Sequence, residues 1–102
     1  MKAKLPTIKE LRNLLIALKP QIADDYRATD DSEETLPGMC VTIGANKAGN
    51  WNYQTGDNSF TGGAYSFPYW AVVYLYRRSD SRELARDARD QLAELMASDS
   101  EE

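Results

Sequence analysis

Charge is absent from the middle of this chain. Between Gly38 and Tyr76 the only charged side chains are Lys47 and Asp57. All six glycines lie in this stretch, and so do nine of the ten aromatic residues, Tyr26 being the exception. A segment rich in glycine and aromatics and poor in charge cannot form a stable solvated helix, because glycine is a poor helix former and large rings favour a pleated, half-buried surface. The flanks are charged, lack glycine and repeat their apolar residues at helical spacing. This segregation dictates a helix, a strand-rich middle and a second helix.

The first flank opens on Thr7-Ile8-Lys9-Glu10, the spacing of a capping box, in which hydroxyl and carboxylate satisfy free backbone N–H groups. Ile8, Leu11, Leu14, Leu15, Leu18 and Ile22 then fall on one stripe. Pro20 breaks the pattern and must end or kink the helix. Because Ile22 keeps the phase, a kink or a short second piece to about Tyr26 is expected. The acids that follow, Asp24, Asp25, Asp30, Asp31, Glu33 and Glu34, read as a solvated loop. They lack the alternating ligands, central glycine and distal glutamate of a calcium loop, so no metal site is assigned.

The middle alternates with a period of two. Met39, Val41 and Ile43 interleave with Cys40 and Thr42, and Trp51, Tyr53 and Thr55 with Asn52 and Gln54. Turn formers separate these runs, so an antiparallel hairpin is expected. The run Tyr69–Tyr76 is the strongest strand. It would show Tyr69, Ala71, Val73 and Leu75 on one face and Trp70, Val72, Tyr74 and Tyr76 on the other. The last flank starts at Ser79-Asp80, with Glu83 at capping-box spacing, and carries the stripe Leu84, Ala85, Ala88, Leu92, Leu95 and Met96.

The expectation is one α+β domain over residues 1–102, in the order α-β-β-β-α. The first helix spans about 7–26, the sheet about 38–76 and the last helix about 80–97, with a frayed acidic tail at 98–102. A chain of this length buries roughly two-thirds of its unfolded surface, enough for one core without metal or disulfide. Short links favour an antiparallel meander with two helices packed on one face of a three-stranded sheet. Domains that bind double-stranded RNA share this element order, but no matching basic signature is present, and order alone licenses no function.

Composition then excludes chemistry. The chain has no histidine, one cysteine and a net charge of −4. Triads with an imidazole base and the common Cys/His zinc sites are ruled out. Ser59 or Ser66 as nucleophile would need a Lys or Asp base, and none stands at a telling spacing. Asp57-Asn58 is read as a turn cap. Cys40 is expected to be a buried small hydrophobe in a strand. Met1–Leu18 holds no apolar run long enough for a signal peptide or a membrane span, so a cytoplasmic protein without membrane association is expected.

Two groups remain as candidate binding residues. The first is aromatic: Trp51, Tyr53, Trp70, Tyr74 and Tyr76 on neighbouring strands, with Phe60, Tyr65 and Phe67 in the long Gly56–Pro68 link. Tyr and Trp among Asn and Gln combine contact area with hydrogen bonding, as protein interfaces do. The second is basic: Arg77, Arg78, Arg82, Arg86 and Arg89. Such spacing could track phosphates, but Glu83 and Asp90 stand at ion-pair distance along the helix from Arg86, and net negative charge weakens polyanion binding.

The expected function is a small non-enzymatic interaction domain, with no cofactor. It would bind a protein partner or itself through the aromatic sheet face and the 56–68 loop. The alternatives are a nucleic-acid-binding domain using arginines 77–89 with the aromatics, and a small-ligand or carbohydrate binder at the loop.

Overall fold

The computed structural model describes residues 4–22, 38–56 and 63–100. The expectations for a helical piece to Tyr26, the acidic run, Asp57, Phe60 and the last two residues of the tail lie outside the described residues.

Helix α1 spans Ile8–Leu18 and begins on the expected capping box. The Thr7 amide donates to Glu10 Oε1 at 2.9 Å, and the Glu10 amide donates to Thr7 Oγ1 at 3.0 Å. Pro20 ends the α-helix and leaves a 3-10 turn at Lys19–Gln21. Ile22 is buried and prolongs the apolar stripe past that turn. Strand β1 spans Gly38–Ala45, β2 Trp51–Thr55 and β3 Tyr69–Tyr76; helix α2 spans Ser81–Ser100. In the β1–β2 turn, Asn46 Oδ1 accepts the amides of Ala48 and Asn50, while Gly49 takes φ +102°. At the head of α2, Asp80 Oδ1 accepts the Arg82 amide at 3.0 Å.

The three strands are antiparallel in the order β2-β1-β3. This corrects the expected meander: β1, not β2, is central. The reason lies in the links and the strands themselves. The thirteen residues between β2 and β3 are long enough to pass the end of β1. β1 is deeply buried from Val41 to Ala45, whereas the short, polar β2 suits an edge.

Both helices cover one sheet face. Leu11, Leu15 and Leu18 of α1 and Ala85, Ala88, Leu92 and Met96 of α2 close over Val41, Ile43, Ala71, Val73 and Leu75. Each fully buried leucine contributes about 2 kcal/mol. Charged side chains tie the layer together at backbone carbonyls. Arg89 Nε donates to Pro6 O at 3.0 Å, Arg77 Nε to Ile22 O at 2.8 Å, and Lys19 Nζ to Ser79 O. The start of α1 thus lies beside the middle of α2, and its end beside the start of α2, so the helices run antiparallel.

α2 also protects a sheet edge. The Gln91 amide takes both backbone groups of Val72: Oε1 accepts the Val72 amide at 3.1 Å, and Nε2 donates to its carbonyl at 3.0 Å. Gln91 thereby stands where a fourth strand would bond. Ser79 Oγ accepts the Tyr76 amide further along the same edge. By contrast, the buried Ser81 hydroxyl has no hydrogen-bond partner among the described residues.

Two substitutions should therefore act in opposite directions. Gln91→Ala is expected to cost about 1 kcal/mol by opening the Val72 bonds, and Ser81→Ala to be neutral or stabilising by about 1 kcal/mol. Urea unfolding of the two variants measures both.

Candidate functional site

The pairing register sorts the aromatics. Residues directly opposite in an antiparallel pair share a face. Tyr53 lies opposite Ile43 and Trp51 opposite Ala45, both core residues, so these two rings belong to the helix side. Trp51 packs against the core, and Tyr53 is 39 % exposed on edge strand β2. Trp70 lies opposite Gly44, Val72 opposite Thr42, Tyr74 opposite Cys40 and Tyr76 opposite Gly38. These form the outer face, away from the helices. The expected aromatic group is thus divided, and Trp51 and Tyr53 are not brought together with Trp70, Tyr74 and Tyr76. Cys40 also departs from expectation. It is in β1, but half-buried on the outer face rather than in the core, because its phase opposes Val41.

The second half of the long link covers part of the outer face. Residues Gly63–Ser66 form a 3-10 turn that packs over β1 and β2. Ala64 is fully buried there, and its amide donates to Gln54 Oε1 at 3.1 Å. Gly44 permits this approach: a Cβ at that position would lie 2.1 Å from Ala64 O. Gly63 takes φ +67° at the start of the turn. Tyr65, half-buried, brings its hydroxyl to 3.3 Å from Thr42 Oγ1 and its ring edge-on to Trp70, with centroids 4.7 Å apart. Phe67, also half-buried, follows as its amide donates to Ala64 O.

The turn leaves much of the β3 row open. Trp70 is 42 %, Val72 37 % and Tyr74 44 % exposed. Tyr76 is half-buried and packs edge-on against Tyr74 at 5.1 Å. No described side chain on this face is charged: its members are Gly38, Cys40, Thr42, Gly44, Asn52, Gln54 and the β3 row. Tyr65 braces Trp70 and Tyr76 braces Tyr74, so both exposed rings are held by neighbours.

The arginines lie elsewhere. Arg82, Arg86 and Arg89 are on α2, on the opposite side of the sheet from Trp70 and Tyr74, and the structure does not bring the two groups together. Arg77 and Arg89 are occupied in holding carbonyls of the α1 region. The expected ion pairing of Arg86 with Glu83 and Asp90 is not formed; among the described residues the ion pair is Lys47 with Asp99, at 3.6 Å. Long exposed side chains lose more entropy than such a pair returns.

That one ion pair belongs to a polar cluster the sequence did not signal. The Tyr69 hydroxyl donates to Asp99 Oδ2, and Lys47 Nζ sits 5.8 Å from the centre of the Tyr69 ring. The cluster joins the end of α2 to the β1–β2 turn. Beside it runs a shallow groove of about 570 Å³ lined by Pro68, Tyr69, Leu95, Ser98 and Asp99. The hydrogen bond from Tyr69, with the charge of Lys47, holds the Asp99 carboxyl below its ordinary value. The same bond to Asp99 raises the Tyr69 phenol.

No family model, no curated protein and no solved structure matches the chain.

Two outcomes follow from this geometry. Gly44→Ala is expected to cost about 2 kcal/mol or more, because the clash is with backbone. Lower thermal stability together with a red-shifted Trp70 emission, as Tyr65 leaves it, is the reading. For Asp99, a lowered folded pKa means that its contribution is complete above the unfolded value near 3.8 and is lost as pH falls through the lower folded value. Carboxyl NMR titration should place its midpoint below 3.8, and Tyr69→Phe should move it upward.

Proposed function

We propose that the chain is a non-enzymatic interaction domain that buries the outer sheet face against another protein surface, a second copy of the chain being the partner its charge pattern fits. The observation that carries this reading is the row Trp70, Val72 and Tyr74, exposed together on a face with no charged side chain among the described residues. Rings already braced by neighbours lose little side-chain freedom on binding, so most of their burial remains as affinity. Trp and Tyr supply the anchors, and Thr42, Asn52 and Gln54 supply hydrogen-bonding groups nearby.

The choice of a second copy rests on charge. At net −4, two copies repel. The outer face is where they can meet without placing like charges opposite one another. A two-fold contact would set the neutral aromatic row of one protomer against that of its partner. Neither a strongly acidic nor a strongly basic partner would find an opposite charge there.

Sedimentation equilibrium tests the proposal. The chain is expected to dimerise with rising concentration, and Val72→Lys, which puts a charge in the centre of the row at an exposed strand position, to be monomeric and folded. A strict monomer at millimolar concentration overturns self-association, and a Val72→Lys variant that still dimerises overturns the choice of face.

A further inference from the structure

We infer that the seam between α1 and α2 is a binding site for a compact phosphate-type anion, held by Lys9, Arg12 and Arg82. These three cations, with Ile8, line one groove of about 320 Å³ on the helical side of the molecule. Its volume is near the lower end for ligand sites, about 300–1,000 Å³. Lys9 and Arg12 stand three residues apart on α1, so they share a helix face, and Arg82 reaches the same groove from the first turn of α2.

What marks the groove is uncompensated charge. All three residues are exposed, and none of their side chains takes a hydrogen bond or an ion pair among the described residues. Of the acids near them along the chain, Glu10 Oε1 accepts the Thr7 amide and Asp80 Oδ1 accepts the amides of Arg82 and Glu83, while Glu83, though adjacent to Arg82, forms no ion pair with it. Other cations of the helical layer are used to hold structure. Lys19 donates to Ser79 O, Arg77 to Ile22 O and Arg89 to Pro6 O. Three like charges facing one concavity repel one another, and an anion within it converts that repulsion into attraction and hydrogen bonds.

The surroundings set the size of the ligand. Glu83, Asp87, Asp90 and Glu94 recur at three- and four-residue spacing on α2 and form an acidic row next to the arginine row. A long polyanion lying along the seam would meet that row. A single phosphate or pyrophosphate group would fit between the cations without touching it.

The test is an amide NMR titration of the full chain with inorganic phosphate and with pyrophosphate, at ionic strength held constant with chloride. The expected result is a set of shifts around residues 8–12 and 81–83 that saturates at millimolar anion. Arg82→Gln and Arg12→Gln should each weaken binding about tenfold while leaving the rest of the spectrum in place. The inference is overturned if the shifts do not saturate, if chloride alone reproduces them, or if the Arg82→Gln variant binds as the parent does. It is equally overturned if a single-stranded oligonucleotide binds and phosphate and pyrophosphate do not, which would make the seam a nucleic-acid track. The dimerisation assay reads the opposite face, so either proposal can fail without the other.

Discussion

Two helices can cover only one side of a three-stranded sheet, and most of this structure follows from that limit. The helical stripes supply leucine and alanine to one face, where β1 and β3 meet them with valine, isoleucine and leucine. Among the described residues, the other face has no α-helix. It is roofed over β1 and β2 by a single turn of the long link, seated on the bare backbone of Gly44. The turn meets β3 through Tyr65 against Trp70 and leaves Trp70, Val72 and Tyr74 more than a third exposed. An exposed row of this kind is tolerated because each ring has a neighbour at its side and each flanking backbone edge is managed by polar side chains.

The edges show how the chain limits unwanted pairing. On β3, Gln91 and Ser79 occupy backbone groups that a foreign strand would seek. On β2, Asn52 Oδ1 accepts the Tyr53 amide. Blocking edges while leaving a face open favours contact face to face over contact edge to edge. Face contact uses side chains and is therefore specific, whereas edge contact uses backbone and is not. Charge is distributed in the same sense: among the described residues, the helical side carries both rows of charge and the outer face none.

Much of the fold was legible because it rests on local rules. Thr7 and Glu10 announced the start of α1, Pro20 its end, and Asp80 the head of α2, since caps and breakers act within one helical turn. The alternation in Tyr69–Tyr76 announced which residues share a face. Strand order was not legible, because it depends on whether a long link crosses the sheet, and no residue within the link states that. The division of Trp51 and Tyr53 from Trp70 and Tyr74 was hidden for a related reason. Period-two alternation gives two faces per strand but not which faces of separate strands coincide; register decides that. The glycine at 44 could be read as a turn former, yet its role is to let Ala64 approach from far along the chain.

The seam cations and the Tyr69–Asp99–Lys47 cluster were beyond the reach of sequence for the same reason. Lys9 and Arg12 look like solvated residues of one helix, and Arg82 like a member of an ion-paired row; only antiparallel packing of α1 on α2 sets them around one groove. Sequence by itself determined the elements, their caps and the confinement of charge to the flanks, because these depend on neighbours within a few residues. Tertiary structure alone decided which strand is central, which rings are roofed and which cations converge, because each depends on the path of a link or the docking of two elements distant in sequence.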